Sequence, residues 1–188
     1  MMDIYEGFET VKQKLIIAGM QEIENHGITD FSLRRVASLC NVSCAAPYKH
    51  FKDKEDFIAE IAMYIYKQWK LLQSHVSEMF EENARKELTE ICIAYVKFWI
   101  ANPNFRSVLM LKPESLGAAR KDVMSEITDK ISMLIKEISK DKDEQIQEEQ
   151  VFTIRSILYG ATSMIDSGEI ENADGTISMI RNCIDKVL

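Results

Sequence analysis

Basic side chains lie close together near the beginning of a chain that is acidic overall. Residues 32–54 contain five Lys and Arg residues and one Asp, a local charge of +4, whereas the whole 188-residue chain carries a net charge of −7. Clustered positive charge is what contacts with nucleic-acid phosphates need. The acidic residues 55–188 would be repelled by DNA, so only the beginning of the chain is a credible docking surface. An ordinary solvated basic surface is the alternative that charge alone leaves open.

Two short helical patterns on either side of a tight turn would position these charges. The first covers residues 33–40 and follows Ser32, which can cap its free N–H groups. Asn41 stands where the backbone must reverse, and Asn tolerates the left-handed conformation that such a corner needs. The second covers residues 44–51, with Ser43 as its cap and a proline in its first turn. This arrangement is typical of a helix-turn-helix, whose second helix enters the DNA major groove.

The same stretch resembles the DNA-binding domain of TetR-family transcriptional regulators. The resemblance begins at residues 15–16 and ends at residues 54–55, and its most specific part is the sequence AAPYKHF at residues 45–51. This chain departs from the family pattern at Asn41, where Gly is usual, and at Cys44, where a polar or basic residue is usual. The departure at Cys44 affects how bases would be read rather than the fold.

The resemblance and the helical periodicity together predict the architecture. We expect an all-α fold of about nine helices, with a three-helix helix-turn-helix DNA-binding domain at residues 1–54. Residues 55–188 are expected to form a helical ligand-binding and dimerisation domain. Apolar residues at helical spacing predict the helices after the helix-turn-helix. The first follows Asp53, which can cap it, and ends at about residue 82; the others lie at about residues 84–101, 103–111 and 116–139, through residues 151–165, and at residues 174–188.

Ten residues are expected at the DNA surface. Lys49 is the only long basic side chain in the second helix, so it should reach base edges or a phosphate, and Arg34 lies in the first turn of its own helix. The resemblance implies phosphate contacts for Tyr48 and His50. The full predicted set is Ser32, Arg34, Ser43, Cys44, Ala45, Pro47, Tyr48, Lys49, His50 and Lys54.

The last two predicted helices carry continuous apolar stripes. Such stripes can form the chain's own core or pack against the same helices of a second copy. The resemblance implies the second arrangement, a four-helix bundle that makes a homodimer. The predicted interface residues are Val151, Ile154, Leu158, Ala161, Ile165, Ile177, Ile180 and Ile184.

Aromatic and methionine side chains crowd the middle of the chain. Ordinary core packing is one interpretation of this pattern, and a pocket for a mostly apolar or aromatic small molecule is the other. No Lys or Arg stands reliably among these positions, so few polar contacts are expected. The predicted ligand-binding residues are Tyr66, Trp69, Tyr95, Phe98, Trp99, Phe105, Met110, Met124 and Phe152.

The sequence lacks the common motifs of catalysis and metal binding. It contains no Gly-rich phosphate loop, no G-x-S-x-G and no H-E-x-x-H, so we expect no catalytic residue, no metal site, no cofactor and no enzymatic activity. No run of 18 uncharged apolar residues is present, so no membrane span is expected. The four cysteines have no disulfide or metal spacing, which predicts reduced thiols in the cytoplasm.

We interpret the chain as a ligand-responsive DNA-binding transcriptional regulator, and the resemblance implies a repressor. Its expected partners are a double-stranded DNA operator, a second copy of the chain and a small-molecule effector. The alternative is a dimeric small-molecule-binding or scaffold protein with a degenerate DNA-binding head. Cys44, Ala45 and Pro47 support this alternative because they offer no strong hydrogen bond to base edges.

Overall fold

The computed structural model describes residues 10–102 and 128–188, and their regular structure is entirely helical. The described residues contain α1 (Val11–His26), α2 (Leu33–Leu39), a 3-10 helix (Pro47–Lys49), α3 (Lys54–Phe80), α4 (Ala84–Ala101), α5 (described over residues 128–138), α6 (Glu144–Asp166) and α7 (Asp174–Val187). The all-α fold class is therefore confirmed. The described part of the chain has seven α-helices and the short 3-10 helix, whereas about nine helices were expected for the whole chain.

The second helix of the helix-turn-helix is shorter than predicted, for a local reason. Pro47 has no N–H, so the Ser43 carbonyl cannot accept the first α-helical hydrogen bond and accepts one from the Ala46 N–H at 2.9 Å instead. The helix that follows is a three-residue 3-10 helix, and its cap position is Ala46 rather than Ser43. The prediction of an α-helix over residues 44–51 with Ser43 as its cap is therefore wrong. The predicted helix at 103–111 and the start of the one at 116–139 lie outside the described residues.

The chain forms two compact units whose boundary falls within α3. The described residues 10–65 make up the first unit, here called the head, and residues 66–102 and 128–188 make up the second, here called the body. α3 therefore contributes its first twelve residues to the head and the remainder to the body.

In the head, α1 packs on α2 over a small apolar core that α3 completes. Leu15 and Val36 are fully buried, and the Phe57 ring lies 4.2 Å from the Phe51 ring and 5.4 Å from the Phe31 ring between centroids. Gly19 in α1 has no side chain, so the Phe57 ring packs directly against the α1 backbone at this position. Packing among these three rings and against the α1 backbone at Gly19 stabilises the helix-turn-helix.

Unlike the cap predicted at Ser43, the predicted Ser32 and Asp53 caps and the Asn41 corner of the head are confirmed. The Arg35 N–H donates to the Ser32 hydroxyl, and the Asp56 N–H donates to the Asp53 carboxylate at 2.8 Å, which caps α3. Asn41 has φ of 53°, the left-handed conformation expected at the reversal between the helices.

In the body, α4 packs against both α6 and α7, and α6 packs against α7. Gln150 links three elements: its Oε1 accepts from the Ser139 hydroxyl at 2.8 Å, and its Nε2 donates to the Val187 carbonyl at 2.7 Å. Among the described helices, none combines the length and apolar character that crossing a membrane requires.

Candidate DNA-binding surface and ligand site

The 3-10 helix presents a short polar segment to solvent. Tyr48 is 62% exposed, and Lys49 and His50 are exposed beside it. Phe51 is buried on the other side, and so is Pro47. The apolar pair anchors the segment, so that Tyr48, Lys49 and His50 face outward as a surface that contacts DNA would. Of the other residues predicted at the DNA surface, Pro47 is buried, whereas Cys44 and Ala45 are exposed.

Some basic side chains of residues 32–54 bind other residues of the head, and others have no partner in the described ranges. The side chains of Arg34, Lys49 and Lys52 are exposed and make no ion pair or hydrogen bond with any residue in the described ranges, although the Lys52 backbone N–H donates to the Asp56 carboxylate at 2.8 Å. In contrast, the Lys54 ammonium donates a hydrogen bond to the Thr29 carbonyl at 3.1 Å and so joins α3 to the loop before α2. The three free charges are those available to phosphate groups without breaking a contact in the head.

Arg35 is engaged by a buried carboxylate that sequence reasoning missed. Glu22 is 1% exposed; its Oε1 accepts from Arg35 Nε at 2.7 Å and from the Ser32 N–H at 3.2 Å, while its Oε2 lies 3.2 Å from His26 Nδ1. The carboxylate therefore joins the end of α1 to the start of α2. A signal was present in the sequence, because Glu22 lies between Gly19 and Ile23 on the apolar face of α1.

Replacing Glu22 with Gln should lower the thermal midpoint of the head by several degrees. The amide keeps the size of the side chain but removes the charge that binds the Arg35 guanidinium and strengthens the Ser32 contact. Glu24→Gln is the matched control, since Glu24 is exposed on the same helix. Adding Arg35→Gln to Glu22→Gln should recover part of the loss, because no charge is then left without its partner. Equal midpoints for Glu22→Gln and Glu24→Gln in a calorimetric scan would contradict this role.

The structure places most of the predicted interface residues inside the body. Ile154, Leu158, Ala161, Ile180 and Ile184 are buried in the single chain, whereas Val151, Ile165 and Ile177 are half-buried. The large apolar side chains that α6 and α7 expose are different ones, namely Ile146, Phe152, Tyr159, Met164 and Met179. Phe152 and Tyr159 are seven residues apart and so share one face of α6.

Four of the predicted ligand-binding residues form one aromatic cluster in the body. The Trp69 ring lies 5.5 Å from the Tyr95 ring and 5.5 Å from the Phe98 ring, and Tyr95 lies 5.5 Å from Trp99. Burial raises the pKa of the Tyr95 hydroxyl, which therefore stays neutral. Tyr66 is half-buried on the same helix as Trp69. The structure thus brings together the ring systems of α3 and α4.

Phe152 lies apart from this cluster, and three other predicted ligand-binding residues are not described. Phe152 is 72% exposed and lines a groove of about 250 Å³ between α5 and α6, together with Ile135, Lys136 and Arg155. Phe105, Met110 and Met124 fall outside the described residues.

Burial disfavours the thiolate form of two cysteines, Cys40 and Cys92. The Cys40 thiol donates a hydrogen bond to the Lys14 carbonyl, and its partial burial raises its pKa although Lys14 opposes the shift. Full burial raises the pKa of Cys92 to about 12. Both thiols therefore stay protonated at neutral pH and are poor nucleophiles. Within the described ranges, no three His, Cys, Asp or Glu side chains are grouped as a metal site would need.

A family of known proteins matches this chain in sequence over the helix-turn-helix. A sequence model of the family described as bacterial regulatory proteins, tetR family, matches residues 15–61. The probable acrEF/envCD operon repressor of Escherichia coli strain K12 is 24% identical over 100 residues, which cover 53% of this chain and 46% of the relative. The chain thus spans about half the length of the curated relatives that it matches.

Two solved structures extend the likeness over the whole chain at the level of fold. A TetR transcriptional regulator from Legionella pneumophila superposes with a TM-score of 0.75 at 16% identity, covering 97% of this chain and 99% of that one. A protein of unknown function from Rhodococcus sp. RHA1 superposes with a TM-score of 0.79 at 17% identity, covering 100% and 99%. The sequence match to the tetR family model thus falls on residues 15–61 in the head, and the likeness to these solved structures shows that the rest of the chain shares their fold.

Proposed function

We propose that the protein is a transcriptional repressor that binds an operator through residues 32–54 and is released from it by a small molecule. The exposed segment Tyr48–His50, with the free charges of Arg34 and Lys52 beside it, carries the proposal. Free cations supply the phosphate contacts that position a protein on DNA, and Lys49 can in addition reach a base edge. The family relative named as an operon repressor supports the same direction of regulation.

We propose further that two copies of the chain act together. A single short recognition segment reads only a few base pairs, whereas two segments about 34–36 Å apart read successive major grooves. The apolar side chains that α6 and α7 direct away from their own core, chiefly Phe152 and Tyr159, are the surface that we assign to the homodimer. The buried stripes of the same helices stabilise the body itself.

The aromatic cluster on α3 and α4 is the proposed effector site. Trp69, Tyr95, Phe98 and Trp99 offer the flat apolar walls that small-molecule sites use. α3 continues from this cluster into the head, so a ligand bound there acts on a helix that both units share. The ligand must bind the state with low DNA affinity more tightly, since otherwise it cannot release the operator. We assign no catalytic role to any residue, and we place the protein in the cytoplasm, where bacterial DNA is.

Selection from a random DNA pool tests the central proposal. The full chain is incubated with the pool, and the bound DNA is sequenced after repeated rounds. A palindromic motif with half-sites one helical turn apart is expected. Enrichment of no motif, combined with tight binding of a small molecule, would instead support a dimeric ligand-binding or scaffold protein. The exposed Cys44 and Ala45 favour that second candidate, since neither side chain reads a base by a strong hydrogen bond.

Lys49→Ala should weaken operator binding and lower the salt dependence. Each lost phosphate contact reduces the slope of log K against log salt by about one. Lys140→Ala is the matched control, because it removes the same charge from an exposed turn of the body. Binding is followed by fluorescence anisotropy from 50 to about 200 mM salt. If both variants show the wild-type slope, Lys49 does not contact a phosphate; a changed sequence preference at an unchanged slope would assign it to a base edge.

A further inference from the structure

Two buried N–H donors on α3 have no acceptor in the described part of the chain. Trp69 is 1% exposed and its indole Nε1 makes no hydrogen bond; Gln73 is 9% exposed and its amide Nε2 makes none either. Residues four apart lie on the same face of a helix, so the two donors point toward one region of the body. Buried donors without acceptors are destabilising and rare, and each one calls for an explanation.

The surroundings of Trp69 explain why its own chain does not satisfy it. Its ring packs against the rings of Tyr95 and Phe98, which are the aromatic walls of the proposed effector site. Aromatic rings stabilise one another by edge and face contacts but offer no strong acceptor for an indole N–H. A polar donor is thus held inside an apolar cluster, which is how ligand sites combine bulk apolar contact with a few placed polar groups.

We propose that Trp69 and Gln73 form the polar end of the effector site and select a flat, mostly apolar ligand that carries a neutral hydrogen-bond acceptor, such as a ketone, ester or amide carbonyl. Both donors are uncharged, and a buried carboxylate without a cation is costly, so a neutral acceptor fits better than an anion. A hydrocarbon of the same shape would leave both donors unsatisfied. This inference rests on the proposed effector site and adds the chemical class of its ligand.

The test compares ligands that differ only in the acceptor. Three pairs of graded size serve as probes: acetophenone with ethylbenzene, fluorenone with fluorene, and benzophenone with diphenylmethane. Binding to the full chain is measured by calorimetry and by quenching of the two tryptophans. In the best-fitting pair the ketone should bind at least about tenfold more tightly than its hydrocarbon, as expected when a buried donor gains an acceptor.

Variants assign the preference to the two donors. Trp69→Phe removes the indole N–H and keeps an aromatic ring, while Gln73→Met removes the amide NH2 group and keeps a chain of similar length. Each should reduce the ketone preference, and the double variant should abolish it. Trp99→Phe is the matched control from the same cluster, and it should lower the affinity for both members of a pair while leaving their ratio unchanged. Gln73→Met should also keep or raise the thermal midpoint without ligand, because it removes an unsatisfied buried amide.

Different negative results would overturn the acceptor preference and the effector site itself. Equal binding of ketone and hydrocarbon in every pair would overturn the acceptor inference and leave the apolar effector site standing. Absence of binding by all six probes would overturn the effector site itself. A preference that survives the double variant, or a Gln73→Met chain with a lower midpoint and an unchanged preference, would show that these donors have a structural role only.

Discussion

Gly19→Ala should destabilise the head by about 1–3 kcal/mol and strongly reduce DNA binding. A methyl group on Gly19 would overlap Phe57 Cε1 and lie 2.9 Å from Ile61 Cδ1. The Phe57 ring cannot move aside easily, because it packs against Phe31 and Phe51 on the side of the helix-turn-helix. α1 must therefore shift from its place in the head, and the recognition segment that Phe51 anchors should shift as well.

The loss of stability in Gly19→Ala should be compared with the effect of the same substitution at a glycine that has open space around it. Ala is normally the better residue in a helix by about 1 kcal/mol, so the same change should be neutral or stabilising where space is open. Gly175, in α7, has nothing within 4 Å of the position that a Cβ would take. Chemical denaturation of both variants measures the difference, and operator affinity measures its consequence. A Gly19→Ala head as stable as the wild type would mean that α1 packs less tightly on Phe57 than described.

The double substitution Phe152→Glu with Tyr159→Glu should convert the proposed homodimer to a folded monomer. On one face of α6, Phe152 is 72% exposed and Tyr159 is 37% exposed, so the single chain should remain folded when both change. At an interface between two copies, each glutamate would be buried without a cation, which should raise the dimer dissociation constant by about 100-fold or more. A monomer presents only one recognition segment, so operator affinity should fall with it.

Analytical ultracentrifugation and circular dichroism check this expectation together. Leu158→Glu is the contrasting variant, since Leu158 is 2% exposed in the core of the body and a charge there should unfold the body itself. A Phe152→Glu, Tyr159→Glu protein that remains helical and still sediments as a dimer would place the interface on another surface. A well-folded Leu158→Glu monomer would show that this position, rather than the exposed face, joins the copies.

The sequence by itself determined the local features of this protein. The Ser32 and Asp53 caps, the left-handed Asn41 and helix α4 at Ala84–Ala101 all follow from interactions within a few residues, so composition and spacing were sufficient to predict them. The family resemblance had the same origin, because the residues that carry it lie in one continuous stretch. Where a local rule failed, at the helix predicted over residues 44–51, the missing N–H of Pro47 was already visible in the sequence.

Only the tertiary structure decided which partner each side chain takes. Helical periodicity shows that α6 has an apolar stripe, but it cannot show that Ile154 and Leu158 are buried in their own chain while Phe152 stays exposed. A count of charges cannot show that Arg35 is paired with Glu22 from another helix, whereas Lys49 is free. These pairings join residues that are far apart in sequence or compete for the same partner, and their energies depend on distance and burial, which residue order alone does not contain.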